Sequence, residues 1–265
     1  MQKYLIGPLT ARNEMSNPSV GIVITLLRDL PEYQRLFFDA FKAEATFDNV
    51  GRARASYQRS LVASNSPFDQ WYYGEDQTAL GPSERSGFKI FLNKGDCVSC
   101  HTIGPDSAFF SDNKFHDIGY GWMRENLRQT PPAISKITVT SDLTLEIDQK
   151  IISSVGLPLE ADLSRYEVTE KPADRGRFRT SSLRNIAITS PYMHDGGLSS
   201  LEEVIDFYDR GGGKHRLQDE RIHPLNLSKK EKVDLQKFLE SLTFQNLSCL
   251  IAETRGTNPD NLGAN

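Results

Sequence analysis

Two cysteines and a histidine lie within five consecutive residues, Cys97-Val98-Ser99-Cys100-His101. If this turn is helical, positions i, i+3 and i+4 share one face, so both thiols and the imidazole point the same way. Two thioether bonds can then fix the edge of a porphyrin while the histidine nitrogen reaches the iron. This C-x-x-C-H pattern is the attachment sequence of a c-type haem.

The same residue types also occur in zinc half-sites and in thioredoxin-like redox pairs. A structural zinc site takes about four protein ligands, yet the third cysteine, Cys249, lies far along the chain and no second Cys/His pair has suitable spacing. A redox C-x-x-C normally lies in a βαβ pattern, which this sequence does not contain. The motif therefore favours covalent haem c, and Cys249 is expected to be a free, buried thiol.

The composition is that of a globular protein, with 38% hydrophobic and 25% charged residues in a chain of 265,. A net charge of -4 provides no basic surface for nucleic acid or for a membrane,. No apolar run approaches the roughly 20 residues that span a bilayer, and no signal peptide follows Met1. Because bacterial c-type haem is attached outside the cytoplasm, we expect a periplasmic protein whose export signal is not in this chain.

The hydrophobic pattern predicts a mainly α-helical protein with long loops and little β-structure. Two capping boxes, each a serine followed three residues later by glutamate, predict the starts of the last two helices at Ser200 and Ser228. Loops are predicted for residues 1–20 and 65–82, and a short hairpin strand for 138–145. Further helices are predicted over residues 19–30, from Pro31 to Phe41, over about 49–64 and from Ser83 to about Gly95.

A haem iron bound by His101 needs a group on its other side. The downstream candidates are Met193, His194 and Tyr208. A methionine ligand raises the reduction potential and suits electron transfer, whereas a phenolate ligand favours ferric iron. His116 is either a hydrogen-bonded loop histidine or a residue at the haem edge.

Several ordered motifs resemble the bacterial di-haem cytochrome c peroxidase and MauG-like family. The resemblance runs from about residue 5 to 243 and is weakest over 121–160. The motifs that carry it are Phe88 to His101, Phe115-His116-Asp117-Ile118-Gly119, Phe178 to Asn185 and Pro191-Tyr192-Met193-His194-Asp195-Gly196. The resemblance implies a bridging helical segment over 1–82, a cytochrome c-like haem domain of the di-haem peroxidase type over 83–254 and a polar tail over 255–265. The family's N-terminal haem motif is absent, so the chain looks like a protein that begins mid-way.

Individual positions can be carried over from the family. The C-x-x-C-H motif matches the attachment site of the electron-relay haem, with His101 as proximal ligand. The family's distal ligand falls 14 residues after the histidine of the His-Asp-Gly motif, which leads from His194 to Tyr208. A tyrosine there resembles the MauG-like branch, and Met193 remains the alternative ligand.

Two further sites follow from the resemblance alone. Thr189 and Pro191 match positions whose backbone carbonyls bind an inter-domain Ca²⁺ in the family. Glu14 matches the acid/base glutamate over the peroxidatic haem, although the family's companion glutamine falls at Tyr4 here.

The resemblance implies an oxidoreductase that reduces hydrogen peroxide with electrons relayed through this haem. The donor would be a small c-type cytochrome or a cupredoxin; in the MauG-like branch a protein substrate is oxidised instead. A second haem c is expected in the absent N-terminal half, so we do not expect this chain to be active alone. The alternative is a mono-haem c-type cytochrome that acts only in electron transfer. The oligomeric state stays open.

Overall fold

The computed structural model describes residues 3–11, 14–60, 62–129, 134–140, 143–148, 151 and 163–244. They fall into two compact units, the first within Met1–Ser64 and the second within Asn65–Gln245. This division lies upstream of the boundary expected between residues 82 and 83, because residues 65–82 pack with the second unit. None of the described helices has the length and apolar character needed to cross a membrane.

The first unit is built from helices. They are α1 (Lys3–Thr10), α2 (Val20–Asp29), α3 (Pro31–Phe41) and α4 (Phe47–Ser60). The loop predicted over 1–20 was wrong for α1. Pro8 removes one backbone donor but does not end the helix, since the Ala11 N–H still bonds to the Gly7 carbonyl (2.8 Å) and Leu9 is buried,.

Helices α2 and α3 lie where they were predicted from the sequence. The Ser19 hydroxyl accepts from the Ile22 N–H at 3.3 Å and caps α2, and Pro31 occupies the first turn of α3,. No residue of α2 is buried. The buried apolar side chains described in this unit are few: Leu9, Phe37, Ala45 and Ala55.

The second unit is mainly helical, with little β-structure, as predicted. Its helices are α5 (Pro67–Tyr72), α6 (Pro82–Leu92), α7 (Tyr120–Gln129), α8 (Tyr166–Thr169), α9 (Leu201–Asp209) and α10 (Lys229–Glu240). Its strands are β1 (Phe115–His116), β2 (Ile134–Thr140), β3 (Leu143–Asp148) and β4 (Phe178–Arg179). Strand β1 pairs antiparallel with β4, and β2 with β3. The strand predicted over 138–145 therefore belongs to two paired strands of one hairpin.

Helix α5 lies where a loop was predicted. The Ser66 hydroxyl accepts from the Asp69 N–H (3.3 Å), and the Asp69 carboxylate accepts from the Ser66 N–H (2.9 Å), which completes a capping box,. The Arg184 guanidinium donates to both Asp69 oxygens, at 2.5 and 2.7 Å. This clamp fixes Phe68, which is fully buried, in the core.

Helices α6 and α10 form the centre of the second unit. The ring centroids of Phe88 and Phe91 lie 5.3 and 5.0 Å from that of Phe238. The two backbones approach closely at Gly87, where a Cβ atom would lie 2.8 Å from the Phe238 Cβ and still closer to the Asp234 carbonyl. We call Phe68, Phe88, Phe91, Phe110 and Phe238 the aromatic core; it lies directly beside the site described next.

Candidate haem site

A cavity of about 380 Å³ opens in the second unit. Seven residues singled out from the sequence line it, although they come from four separate segments of the chain: Cys97, Cys100, His101, His116, Met193, His194 and Tyr208. Most of the surrounding surface is apolar, as suits the face of a large aromatic cofactor,. The fold therefore brings the predicted attachment, proximal and distal residues to one place.

The C-x-x-C-H segment follows α6 after a short turn. Residues Cys97–Ser99 form a single helical turn, and the His101 N–H donates to the Cys97 carbonyl at 2.8 Å. The segment is held at its far end by the Asp112 N–H, which donates to the Cys100 carbonyl at 2.8 Å. The helical turn assumed from the spacing is thus present.

His101 has the tautomer that a metal ligand needs. Its Nδ1 lies 2.8 Å from the Phe110 carbonyl oxygen, which can only accept, so Nδ1 carries the proton,. Nε2 then keeps its lone pair. Burial lowers the pKa of His101, which keeps the ring neutral at physiological pH,.

The two thiols have the character of attachment points rather than of reactive redox groups. Burial raises the pKa of Cys97 to about 12, with a smaller effect of the neighbouring Asp96 carboxylate. Burial also raises the pKa of Cys100. A thioredoxin-like pair depends on an accessible thiolate with a lowered pKa. The donor set therefore fits a c-type haem better than a dithiol site.

Tyr208 and Met193 approach the cavity from different elements. Tyr208 lies on α9, and Met193 lies in a turn with a left-handed backbone (φ 70°). Burial raises the pKa of Tyr208, and the Cys97 and Cys100 thiols add to the effect. A phenolate at this position therefore requires a compensating cation, which a haem iron supplies.

His116 both lines the cavity and is held by hydrogen bonds. Its Nδ1 and Nε2 lie 2.9 and 2.8 Å from the carboxylates of Asp219 and Asp112. Arg221 donates to Asp219 and to the Ser99 carbonyl (3.3 Å). Hydrogen bonding by Arg221 holds the pKa of Asp219 well below its usual range. This charged network fastens the Cys97–Ser99 turn to β1.

Other residues assigned from the resemblance lie elsewhere. Glu14 is exposed in a turn of the first unit. Thr189 and Pro191 are exposed on the turn beside Met193 and are not among the residues that line the cavity. Cys249 lies outside the described residues.

One hydrogen-bonded pair, of which Tyr120 lines the cavity, was missed from the sequence. Tyr120 at the start of α7 lines the cavity, and its hydroxyl donates to the Asp195 carboxylate at 2.9 Å. Arg124 donates to the other Asp195 oxygen at 2.6 Å. The two partners are 75 residues apart, so no local pattern joins them; the one signal was the density of polar residues around Asp195.

Comparison with known proteins finds relatives over most of this chain. The family model described as di-haem cytochrome c peroxidase matches residues 1–77. The cytochrome-c peroxidase IdrP1 of Pseudomonas sp. (strain SCT) is 39% identical over 235 residues, which cover 86% of this chain and 58% of that protein. The methylamine utilization protein MauG of Methylorubrum extorquens is 34% identical over 239 residues, covering 89% and 56%.

Solved structures have the same fold. A MauG-like protein associated with microbial copper homeostasis superposes with a TM-score of 0.69 at 26% identity, over 93% of this chain and 69% of that one. The di-haem peroxidase BthA of Burkholderia thailandensis gives a TM-score of 0.61 at 20% identity. The chain spans a little more than half the length of the curated relatives described above.

Proposed function

Because this chain belongs to the di-haem cytochrome c peroxidase and MauG-like family, we propose that its second unit holds a covalent haem c that takes part in peroxide-dependent oxidation. The proposal rests on one observation: the same cavity is lined by Cys97, Cys100, His101 and Tyr208. In this assignment the two thiols form thioethers. The Nε2 of His101 binds the iron, because Nδ1 is engaged by the Phe110 carbonyl.

The attachment is tested by expressing the chain in a host with a c-type haem maturation system, with an added export signal. We expect one covalent haem per chain, measured by the mass of the intact protein. A Cys97→Ser/Cys100→Ser variant should lose it completely, and Cys249→Ser should keep it. Haem retained covalently by the double variant would contradict the proposal.

Tyr208 is the proposed distal ligand and Met193 the alternative. Its position on α9 and the low polarity of its surroundings support Tyr208, because an iron cation offsets the cost of a buried phenolate,. We expect Tyr208→Phe to convert a six-coordinate low-spin ferric spectrum to high-spin, and Met193→Leu to leave it unchanged. The reverse pattern would assign Met193 instead.

The activity of the longer protein is a further part of the proposal. Relatives named cytochrome-c peroxidase and MauG support reduction of hydrogen peroxide or oxidation of a protein substrate. The proposed electron donor is a small c-type cytochrome or a cupredoxin. A bound haem c supplies one-electron chemistry between such partners and a second haem c outside this chain. Glu14 is the proposed proton carrier at that second haem, in the periplasm.

The chain by itself should act only in electron transfer, since His101 and Tyr208 would both bind the iron and leave it no open position. We therefore expect no Soret shift when the haem-loaded chain meets hydrogen peroxide, and reduction only by a strong reductant such as dithionite, because a phenolate ligand favours ferric iron. A peroxide-dependent Soret shift would mean that the distal position is open.

We also propose a Ca²⁺ site, for which this chain supplies only some of the ligands. Thr189 and Pro191 offer two backbone carbonyls on one exposed turn, whereas Ca²⁺ takes about six to eight oxygens. The remaining ligands would come from the absent half and from water. Isothermal titration of the longer protein with Ca²⁺ tests this site.

A further inference from the structure

Three tyrosines line the proposed haem cavity, and their hydroxyls differ in their surroundings: Tyr120, Tyr192 and Tyr208. Tyr208 is the proposed iron ligand. The Tyr192 hydroxyl donates to the Ile186 backbone carbonyl at 2.9 Å. The Tyr120 hydroxyl donates to the carboxylate of Asp195, also at 2.9 Å. A carboxylate is far more basic than an amide carbonyl, so it can accept the proton that an oxidised phenol releases. The hydroxyls of Tyr120 and Tyr192 therefore differ in whether they have a proton acceptor.

Tyr120 is fixed in this geometry on every side. It is 1% exposed, and its ring makes edge-to-face contacts with His194 and Phe207, each with centroids 5.6 Å apart. Gly197 leaves the space that the hydroxyl occupies, because a Cβ atom there would overlap the phenol oxygen. Side-chain reorientation is therefore not needed for the proton to move.

Three donors hold the Asp195 carboxylate in place. One oxygen accepts from the Tyr120 hydroxyl (2.9 Å) and the Gly197 N–H (3.0 Å), and the other accepts from Arg124 (2.6 Å). Burial and the adjacent carboxylate raise the pKa of Tyr120, so the phenol stays protonated. The pair thus consists of a neutral phenol that donates to a carboxylate.

We propose that Tyr120 is a redox-active residue of the haem site, giving up one electron while its hydroxyl proton passes to Asp195. The phenol O–H bond breaks, an O–H bond forms on the Asp195 carboxylate, and a neutral phenoxyl radical remains. The electron goes to the haem c of this unit after that haem has itself lost an electron to the second haem c, which reacts with hydrogen peroxide. An external donor later returns the electron to the phenoxyl radical, and Asp195 returns the proton. This inference rests on the proposed function, and it makes the second unit a place where one oxidising equivalent is held.

The test uses the haem-loaded chain and photogenerated tris(bipyridine)ruthenium(III) as one-electron oxidant, so it does not depend on reaction with peroxide. Samples are frozen after the flash, and electron paramagnetic resonance is recorded with normal and with ring-deuterated tyrosine. The component of the tyrosyl signal that belongs to Tyr120 is the difference between the wild type and Tyr120→Phe. We expect this component to be present, to form more slowly in D₂O, and to persist in Tyr192→Phe.

Asp195→Asn keeps a hydrogen-bond acceptor but removes the proton acceptor, so the Tyr120 component should fall several-fold. Arg124→Gln is the matched control for a disturbed turn, because it leaves phenol and carboxylate in place, and it should keep the component. Thermal melts by circular dichroism identify variants that fail to fold. If Asp195→Asn is among them, the D₂O measurement on the wild type decides.

The inference is overturned if Tyr120→Phe leaves the tyrosyl signal unchanged, if Tyr192→Phe removes the same component, or if Asp195→Asn or D₂O has no effect. The mass of each sample reports covalent haem separately. Absence of haem would refute the proposed function, whereas absence of the Tyr120 component in a haem-loaded chain would refute this inference alone.

Discussion

In the first unit the large hydrophobic side chains lie mostly at the surface, whereas in the second unit they form a continuous core. Leu26 and Phe38 are 58% and 59% exposed, and α2 buries no residue. In the second unit five phenylalanines have no exposed surface at all: Phe68, Phe91, Phe110, Phe207 and Phe238. The second unit therefore has the better means of folding by its own hydrophobic burial.

The position of the core explains what this difference means for the site. Phe91 of the aromatic core also lines the cavity, and so do Leu235 and Leu239, which are buried on α10. Burial that stabilises the second unit thus also shapes the wall of the proposed haem pocket. The first unit offers Glu14 in an exposed turn, and its proposed role depends on partners outside this chain.

The largest effect is expected from truncating a phenylalanine in each unit. Phe238→Ala should lower the free energy of unfolding by about 3–5 kcal/mol, since it leaves a cavity in the aromatic core. Phe38→Ala, at an exposed position, should change it by only about 0.5 kcal/mol. Urea unfolding followed by circular dichroism measures both. Equal losses would mean that the first unit has a core as consequential as the second.

Removing an ion pair should also destabilise the second unit more than the first, although the loss should be smaller than for Phe238→Ala. Arg184 and Asp69 are 11% and 15% exposed, so Arg184→Gln leaves a largely buried carboxylate without its partner and should cost about 3 kcal/mol,. In the first unit, Arg52 and Asp48 lie 3.8 Å apart and are 67% and 58% exposed. Arg52→Gln should therefore cost about 0–1 kcal/mol. The same urea titration measures both variants. Equal losses in the free energy of unfolding would contradict the expected difference between the two units.

The smallest expected effect is a change with pH in how much Asp69 stabilises the fold. Burial raises the pKa of Asp69, but hydrogen bonds from Arg184 and Ser66 outweigh it, so the folded pKa lies below the ordinary 3.8. A carboxyl group whose pKa is lower in the folded state stabilises the fold at every pH above its unfolded-state pKa. That contribution is lost as the pH falls through the folded-state pKa. The stability difference between wild type and Asp69→Asn should therefore shrink from pH 7 to pH 3.

The exposed Asp48 of the first unit supplies the control for that measurement. The stability difference between wild type and Asp48→Asn should stay below about 1 kcal/mol at each pH, because both side chains of the Arg52–Asp48 pair are largely exposed,. A difference for Asp69→Asn that grew on acidification would show that the sign of the pKa shift is wrong.

Local patterns in the sequence were sufficient for some elements. The Ser228–Glu231 box has both of its hydrogen bonds and begins α10 as predicted. At α9 only half of the predicted box forms. Ser200 accepts from the Glu203 N–H (3.2 Å), but the Glu203 carboxylate accepts from the Ser199 N–H (2.6 Å). The backbone of the preceding turn offers a nearer donor than the sequence rule assumes.

Contacts between distant residues were beyond such patterns. Helix α5 was missed because its box uses aspartate rather than glutamate or glutamine and because its six residues show no helical period,. Its position depends on Arg184, which is 115 residues away from Asp69. The Tyr120–Asp195 pair is a second case, since only the folded chain brings α7 against the turn that carries Asp195.

The missing side chain at residue 87 has a mechanical consequence for the pocket. Helix α6 leads into the turn that carries the thiols, while α10 supplies part of the opposite wall, and the two helices touch where Gly87 meets Asp234 and Phe238. A methyl group at that point would overlap the Asp234 carbonyl and push the two helices apart. The proposed haem pocket would then widen, although the substituted residue would contact neither the iron nor its proposed ligands.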